Sequence, residues 1–421
     1  MCLLIEIECI KTVFHGRFLK KEEGPTIGGV YEEYLVCDMS FMAELKPRKG
    51  CGFCMGTVVH LGRRWGELGL DVLSIDLSWH NAVSGRDEVL KVVSGDEEWA
   101  TAKLYAGMGA RYMQLYCWHP TNHFRFDLVN AVTKQLLPVD HLLYVLLEPH
   151  FRHMGVLNDT VLNSSETSPL QAAGTENMAT RLYDPNAFDA DELTKLVAKG
   201  AGETAELWLK PKMDSNLRIS VVYRQYYDVI HAFVGNVLGQ LAKDDSKAEE
   251  WVNELSSKLD GFPEWKELGT EGLVVVVTNL IWCVSVAHSL DHQTMFNQAE
   301  GFGYMRLRIP TEDKKAWAGA PEDPACATTF KDVVRQAHFD WMFVTWVKLG
   351  SVVPGDSGSL ADVTYRFSSV GGMDAGQKQV LKWAQEEFRQ QLVDVDRELQ
   401  KWWKGRIPLP TIYQMACSVL F

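Results

Sequence analysis

"LVVVVTNLIWCVSVAHSLDHQTMF", residues 273–296, is a long apolar run that ends in two histidines, an aspartate and a glutamine. Its apolar part, Leu273–Leu290, reaches the roughly 18-residue length at which a transmembrane helix becomes a candidate. Asn279 and His288 lie inside the run, Asp291 closes it, and no Lys/Arg cluster flanks either end as a topology signal would require. A central helix buried on all sides of a large domain explains the run better than a membrane span. A single histidine in such a helix reads as a satisfied core residue. Two at i and i+4, His288 and His292, project from one face, which is the spacing of a helical metal-ligand pair.

Composition narrows the function classes. The 421 residues are 46% hydrophobic and 23% charged, an ordinary globular balance. A net charge of −13 with no basic cluster argues against a nucleic-acid partner. Nine scattered cysteines do not form a disulfide framework and point to a reducing compartment. "CGFC", Cys51–Cys54, is a lone pair, short of the four ligands of a structural zinc site and without the strand–helix context of a redox site, so it reads as incidental. The opening "MCLLIEIECI" carries Glu6 and Glu8 and no basic region before them. It is a poor signal peptide and equally a strand, so the expectation is a cytoplasmic protein with no transmembrane segment.

Residues 1–65 read as a mixed, irregular N-terminal segment and 66–421 as one main domain. Short strand-like pieces such as "LDVLSIDLSW" and many glycines mark the chain up to residue 95. Helical patterns dominate from Asp96 onward, with Ser94 and the acidic residues after it as a plausible helix start. Long helical segments are expected near 122–147, 218–242, 246–258, 272–297, 328–350 and 375–403. "NSSETSPLQAAGTEN", "TEDKKAWAGAPEDPA" and "VVPGDSGSLAD" read as loops.

Metal ligation needs more than two imidazoles, and "MQLYCWHPTNHFRFD" supplies Gln114, His119 and His123. His119 and His123 are i, i+4, but Pro120 between them forces a helix to kink, tighten or bulge. Gln114 and His119 are i, i+5, a spacing that a π-turn brings together. From spacing alone, a broken core helix with ordinary hydrogen-bonded histidines is an equal reading.

Several blocks, in order, resemble lipoxygenases. "QLLPVDHLLYVLLEPHFRHMGVLND", residues 135–159, resembles the family's L-P-x-x-H-P-x-Y-x-L-L-x-P-H-F-R block. "IWCVSVAHSLDHQTMFNQAEGFGYMRLRIP" resembles its second metal helix, S-x-x-H-x-x-x-N-x-x-Q, with Ser285 and His288 in place, His292 for the Asn and Met295 for the Gln. "EEWATAKLY" matches W-x-x-A-K at the start of the first metal helix, and "LDVLSIDLS" and "DDSKAEEWVNEL" resemble two further blocks. The resemblance runs from about Gly66 to the C-terminus and implies a mainly α, single-domain fold around a long central metal-binding helix, with a small irregular or β segment at the N-terminus.

The resemblance also implies a ligand set. His288 and His292 fall on the two second-helix ligands, and the terminal carboxylate, here of Phe421, is a ligand in the family. Counting from Trp99, the first-helix histidines fall on Gln114 and His119, and His123 on a further histidine of that helix. The implied sphere is therefore His119, His288, His292 and Phe421, with Gln114 as a loose fifth ligand or a partner of a ligand, since an amide oxygen binds less well than imidazole. The competing register puts His119 and His123 on the metal. Asp291, Gln293 and Gln298 are candidate partners for the ring nitrogens turned away from the ion.

Lipoxygenases use non-haem iron, or manganese in some fungal members, bearing a hydroxide; no side chain is a catalyst in its own right. The metal centre takes a hydrogen atom from a methylene between two cis alkenes, and O2 adds to the radical. By the same resemblance Val161 falls on a position where the family often has Ala or Gly and where bulk restricts O2. The expected partners are thus a hydrophobic small-molecule polyene and O2. The family's N-terminal β-sandwich is not expected in this sequence, and the catalytic part reads as short. Two alternatives remain open: a non-oxygenating isomerase or cyclase of a polyene, and an inactive binding protein for a hydrophobic ligand.

Overall fold

The protein, described here from a computed structural model, is characterised at residues 19–22, 29–45, 55–81, 84–112, 119–152, 154–155, 208, 217–242, 244–290, 358–403 and 409–419. Five strands form an antiparallel meander in sequence order: β1 (Leu19–Lys21), β2 (Tyr31–Met39), β3 (Gly56–Arg64), β4 (Asp71–Asn81) and β5 (Arg86–Val93). Alternation builds its buried face, because successive strand side chains point to opposite sides. Leu35, Cys37 and Met39, then Val59 and Leu61, then Ile75, Leu77 and Trp79 turn inward. On the other side His60 bridges neighbouring elements, with Nδ1 3.1 Å from Glu22 and Nε2 3.1 Å from Asp76.

This sheet is the β form of the small irregular or β segment expected at the N-terminus, and it runs on to Val93. Gly56–Gly62 on β3 pair with Asp71–Ser78 on β4, so the division expected at 65 falls in a turn inside one sheet. Helix α1 (Trp99–Tyr112) then packs against the sheet's strands β2 to β5. Gly109 permits that approach: a Cβ there would stand 3.0 Å from Met39 Sδ and 3.2 Å from Thr57 Oγ1.

The expected helix over 122–147 is two helices, α2 (His119–Leu136) and α3 (Leu142–Leu147), the latter followed by a 3-10 turn, Glu148–Phe151. Pro138 is the reason, since proline lacks the N–H a helix needs and pushes the residue before it out of helical conformation. His141 restarts the chain as the N-cap of α3: its Nδ1 accepts from the Leu143 N–H. Nε2 must then carry the proton, and it donates to Asp245 at 3.1 Å. Asp245 in turn caps α5 (Ser246–Lys258) by accepting from the Ala248 N–H. One His–Asp pair thus joins two helix starts.

Helix α4 (Arg218–Leu238) packs between α6 (Trp265–Trp282) and α7 (Ala375–Trp402). Phe233 of α4 stacks on Phe388 of α7 with ring centroids 4.2 Å apart, and Tyr226 donates to the buried Asp396 at 3.1 Å. Asp374 and Gln377 close the start of α7 with a reciprocal capping box.

Helix α6 is the element that the opening apolar run foretells. It breaks once, at Gly269, whose φ of 54° only glycine adopts without strain. It then continues through a π turn, Cys283–Ala287, to Leu290. Trp265–Leu290 is long and apolar enough to cross a bilayer, and 89% of its most apolar window is buried inside the protein. Helices α4 and α5 pack on α6, and α2 packs on the π turn. Two hydroxyls in this apolar helix are satisfied along its own backbone: Thr278 donates to Val274 O at 2.7 Å and Ser285 to Ile281 O.

Candidate metal centre

His288 stands at the end of the π turn and is wholly buried. Its N–H donates to the carbonyl of Cys283, five residues back, which is the defining bond of that turn. The extra residue in the turn shifts the phase of the helix and sets the direction of everything after it. The sequence suggests a π turn in the first metal helix, between Gln114 and His119; the one described here lies in the second, directly before His288.

The residue facing His288 is His123, in the second turn of α2 and only 6% exposed. Their Nε2 atoms are 3.0 Å apart, with the rings 4.8 Å apart and inclined at 70°. The contact joins two helices across 165 residues of sequence. Two neutral imidazoles at this distance share one N–H···N hydrogen bond. The same geometry suits two ligands of one ion: with metal–nitrogen bonds of about 2.1 Å, nitrogens 3.0 Å apart subtend about 90° at the metal. Both rings present Nε2 to one point inside an apolar core, so the donor chemistry fits a first-row metal. Among the described residues, no group of three or more His, Cys, Asp or Glu converges.

The other expected ligands stand as follows. His119 is the first residue of α2, one turn before His123; the position of its side chain is not among the described ones. Pro120 sits in that first turn, where a missing N–H costs no intrahelical bond. Gln114, Val161, His292 and Phe421 lie outside the described residues, as do Asp291, Gln293 and Gln298. The residue that the family count set aside, His123, is therefore the one brought against His288.

The C-terminal segment approaches the same place. Met415, Cys417, Ser418 and Val419 are fully buried. The Ala416 N–H donates to Ser289 Oγ at 3.0 Å, one residue beyond His288. On the other side of the segment stands His150, in the 3-10 turn after α3, with Nδ1 2.6 Å from Cys417 O and Nε2 2.9 Å from the Tyr365 hydroxyl. Burial holds its pKa down at about 4, so the ring is neutral. Burial pushes the Tyr365 phenol well above its ordinary value, which keeps it a hydrogen-bond donor. His150 lies in the quoted "EPHFR", yet nothing in that stretch assigns it a partner 267 residues away.

No protein-family model matches the chain, and no curated protein matches it in sequence. Its structure is similar to those of lipoxygenases. A coral 8R-lipoxygenase aligns with a TM-score of 0.67 at 13% identity, over 99% of this chain and 65% of that one. The manganese lipoxygenase of Gaeumannomyces graminis gives 0.64 at 12% identity, over 99% and 80%. A lipoxygenase from Fusarium graminearum gives 0.61 at 17% identity, over 92% and 72%. Of several lipoxygenase structures that it matches, the chain spans only 59% to 66% of the length.

Proposed function

Taking the mainly helical, lipoxygenase-like fold as the premise, we propose that this chain is a non-haem metal dioxygenase acting on a polyunsaturated hydrocarbon chain, such as a fatty acid. The observation that carries the reading is the meeting of His123 and His288, Nε2 to Nε2 at 3.0 Å, inside the core. Two buried imidazoles suit iron or manganese.

His119, one turn before His123, and His292, four residues after His288, are the further imidazoles of the proposed sphere. The Phe421 carboxylate is the proposed anionic ligand. What supports it is the burial of the preceding residues and the bond from Ala416 to Ser289. Gln114 is proposed as a weak ligand or the partner of one, and Val161 as a brake on O2 access. The bound ion would supply one-electron removal of hydrogen from a methylene between two cis alkenes, with O2 trapping the radical. The protein's own part is positional. The π turn aims His288, α2 delivers His123 to it, and the apolar side chains around α6 exclude water from a long hydrocarbon.

Oxygen uptake tests the proposal. Protein produced in medium rich in iron and manganese should consume O2 when given a polyunsaturated fatty acid, and should form a conjugated hydroperoxide. Metal-loaded protein that consumes no O2 with any polyene tested would contradict the dioxygenase reading.

A further inference from the structure

The buried tail is held from three directions. Leu360 donates to Met415 O at 2.8 Å and Cys417 donates to Gly358 O at 2.7 Å, a short antiparallel bridge. Ser289, at the end of α6, accepts from Ala416. The turn after α3 supplies the third grip: the Cys417 thiol contacts Pro149 O at 3.4 Å, the Ser418 hydroxyl donates to Arg152 O at 3.0 Å, and His150 lies against Cys417 O.

The protons on this third grip are determined by chemistry. A carbonyl oxygen only accepts, so His150 Nδ1 carries a hydrogen and donates to Cys417. A neutral ring then has a lone pair on Nε2, which accepts from the Tyr365 hydroxyl. The order is fixed: Tyr365 donates to His150, and His150 donates to the tail. Were the ring in its other tautomer, a lone pair would face the carbonyl at 2.6 Å and an N–H would face the phenol.

We propose that His150 is a positioning residue: oriented by Tyr365, its Nδ1–H holds the tail at Cys417 so that the segment runs beside His288. Its importance to the metal centre rests on the reading that the tail brings a carboxylate to the ion. The hold on the tail does not depend on that reading.

Carboxypeptidase digestion of the full-length, chelator-treated protein tests the hold directly, because the enzyme cuts only a tail that has peeled away. His150→Asn keeps an amide donor where Nδ1 stood, whereas His150→Gln carries its amide in the Nε2 direction and His150→Phe carries none. Release should stay near the wild-type rate in His150→Asn and rise about tenfold in His150→Gln and His150→Phe, the worth of one hydrogen bond to an oriented donor. Tyr365→Phe leaves the fold's ring in place, frees the tautomer and should raise release by a smaller factor. Equal release from His150→Asn and His150→Gln would overturn the proposal, and so would wild-type release from His150→Phe. If the His150 variants do not fold, unchanged release from Tyr365→Phe overturns it. Metal content of the untreated wild type is read in parallel. Protein without metal but with a tail that depends on His150 would contradict the proposed function and uphold the positioning role.

Discussion

His150 should make the protein acid-sensitive by a calculable amount. Its folded pKa is held at about 4 by burial, against an ordinary value of 6.5. The unfolded chain therefore takes up the proton first as pH falls. Above about pH 6.5 neither state binds it and the full stability is present. Between about 6.5 and 4 the unfolded state is progressively favoured, and below about 4 both states are protonated and the loss levels off. At about 1.4 kcal/mol per unit, the group accounts for about 3 kcal/mol of acid destabilisation. His150→Asn does not titrate. It also removes the acceptor of the Tyr365 hydroxyl, which costs about 1–3 kcal/mol at neutral pH. Urea unfolding of the two proteins from pH 8 to 4 should show wild type the more stable at the top of the range. The gap should close, or reverse, by pH 4. Every other titrating group cancels in the difference. Parallel stability curves for the two proteins would mean that His150 is not a buried, neutral group that charges on unfolding.

Other parts of the structure can be tested singly. Thr133→Val should cost about 1–3 kcal/mol in urea unfolding and Thr133→Ser much less, because Trp251 Nε1 donates to the Thr133 hydroxyl at 2.9 Å inside the core. Gly269→Ala should lower stability by about 1–3 kcal/mol, since φ of 54° with ψ of −164° is open to glycine alone; a thermal midpoint equal to wild type would mean that the break in α6 relaxes freely. Extending the chain by one or two residues beyond Phe421 should leave the folded circular dichroism unchanged and lower metal content, if the terminal carboxylate is a ligand; metal retained at the wild-type level would remove Phe421 from the sphere.

The parts legible in the sequence were those governed by local pattern. The run Leu273–Leu290 reads as a buried helix because it is apolar on every face, and residues 246–258 form a helix with the bounds expected from the helical pattern there. The sheet was less visible. "YEEYLVCDM" and "GTVVHLGRR" alternate only partly, with the charged Glu33 and Arg63 in phase with the inward positions, and their pairing is a long-range property. His123 was set aside because a count from Trp99 carries no information on how α2 rotates against α6. The π turn before His288 leaves no mark on spacing inside a continuous apolar stretch. His150 was hidden for a similar reason: its partners, Tyr365 and Cys417, are 215 and 267 residues away.

His123 and His288 meet, on the function proposed, because they share a metal ion. Metal stoichiometry of purified wild type, His123→Ala and His288→Ala, all made in iron- and manganese-rich medium, tests it most directly. Close to one ion per wild-type chain is expected, with a loss of most of it in each variant. A metal-free wild type, or full retention in His123→Ala, would contradict it and reduce the pair to an ordinary buried hydrogen bond.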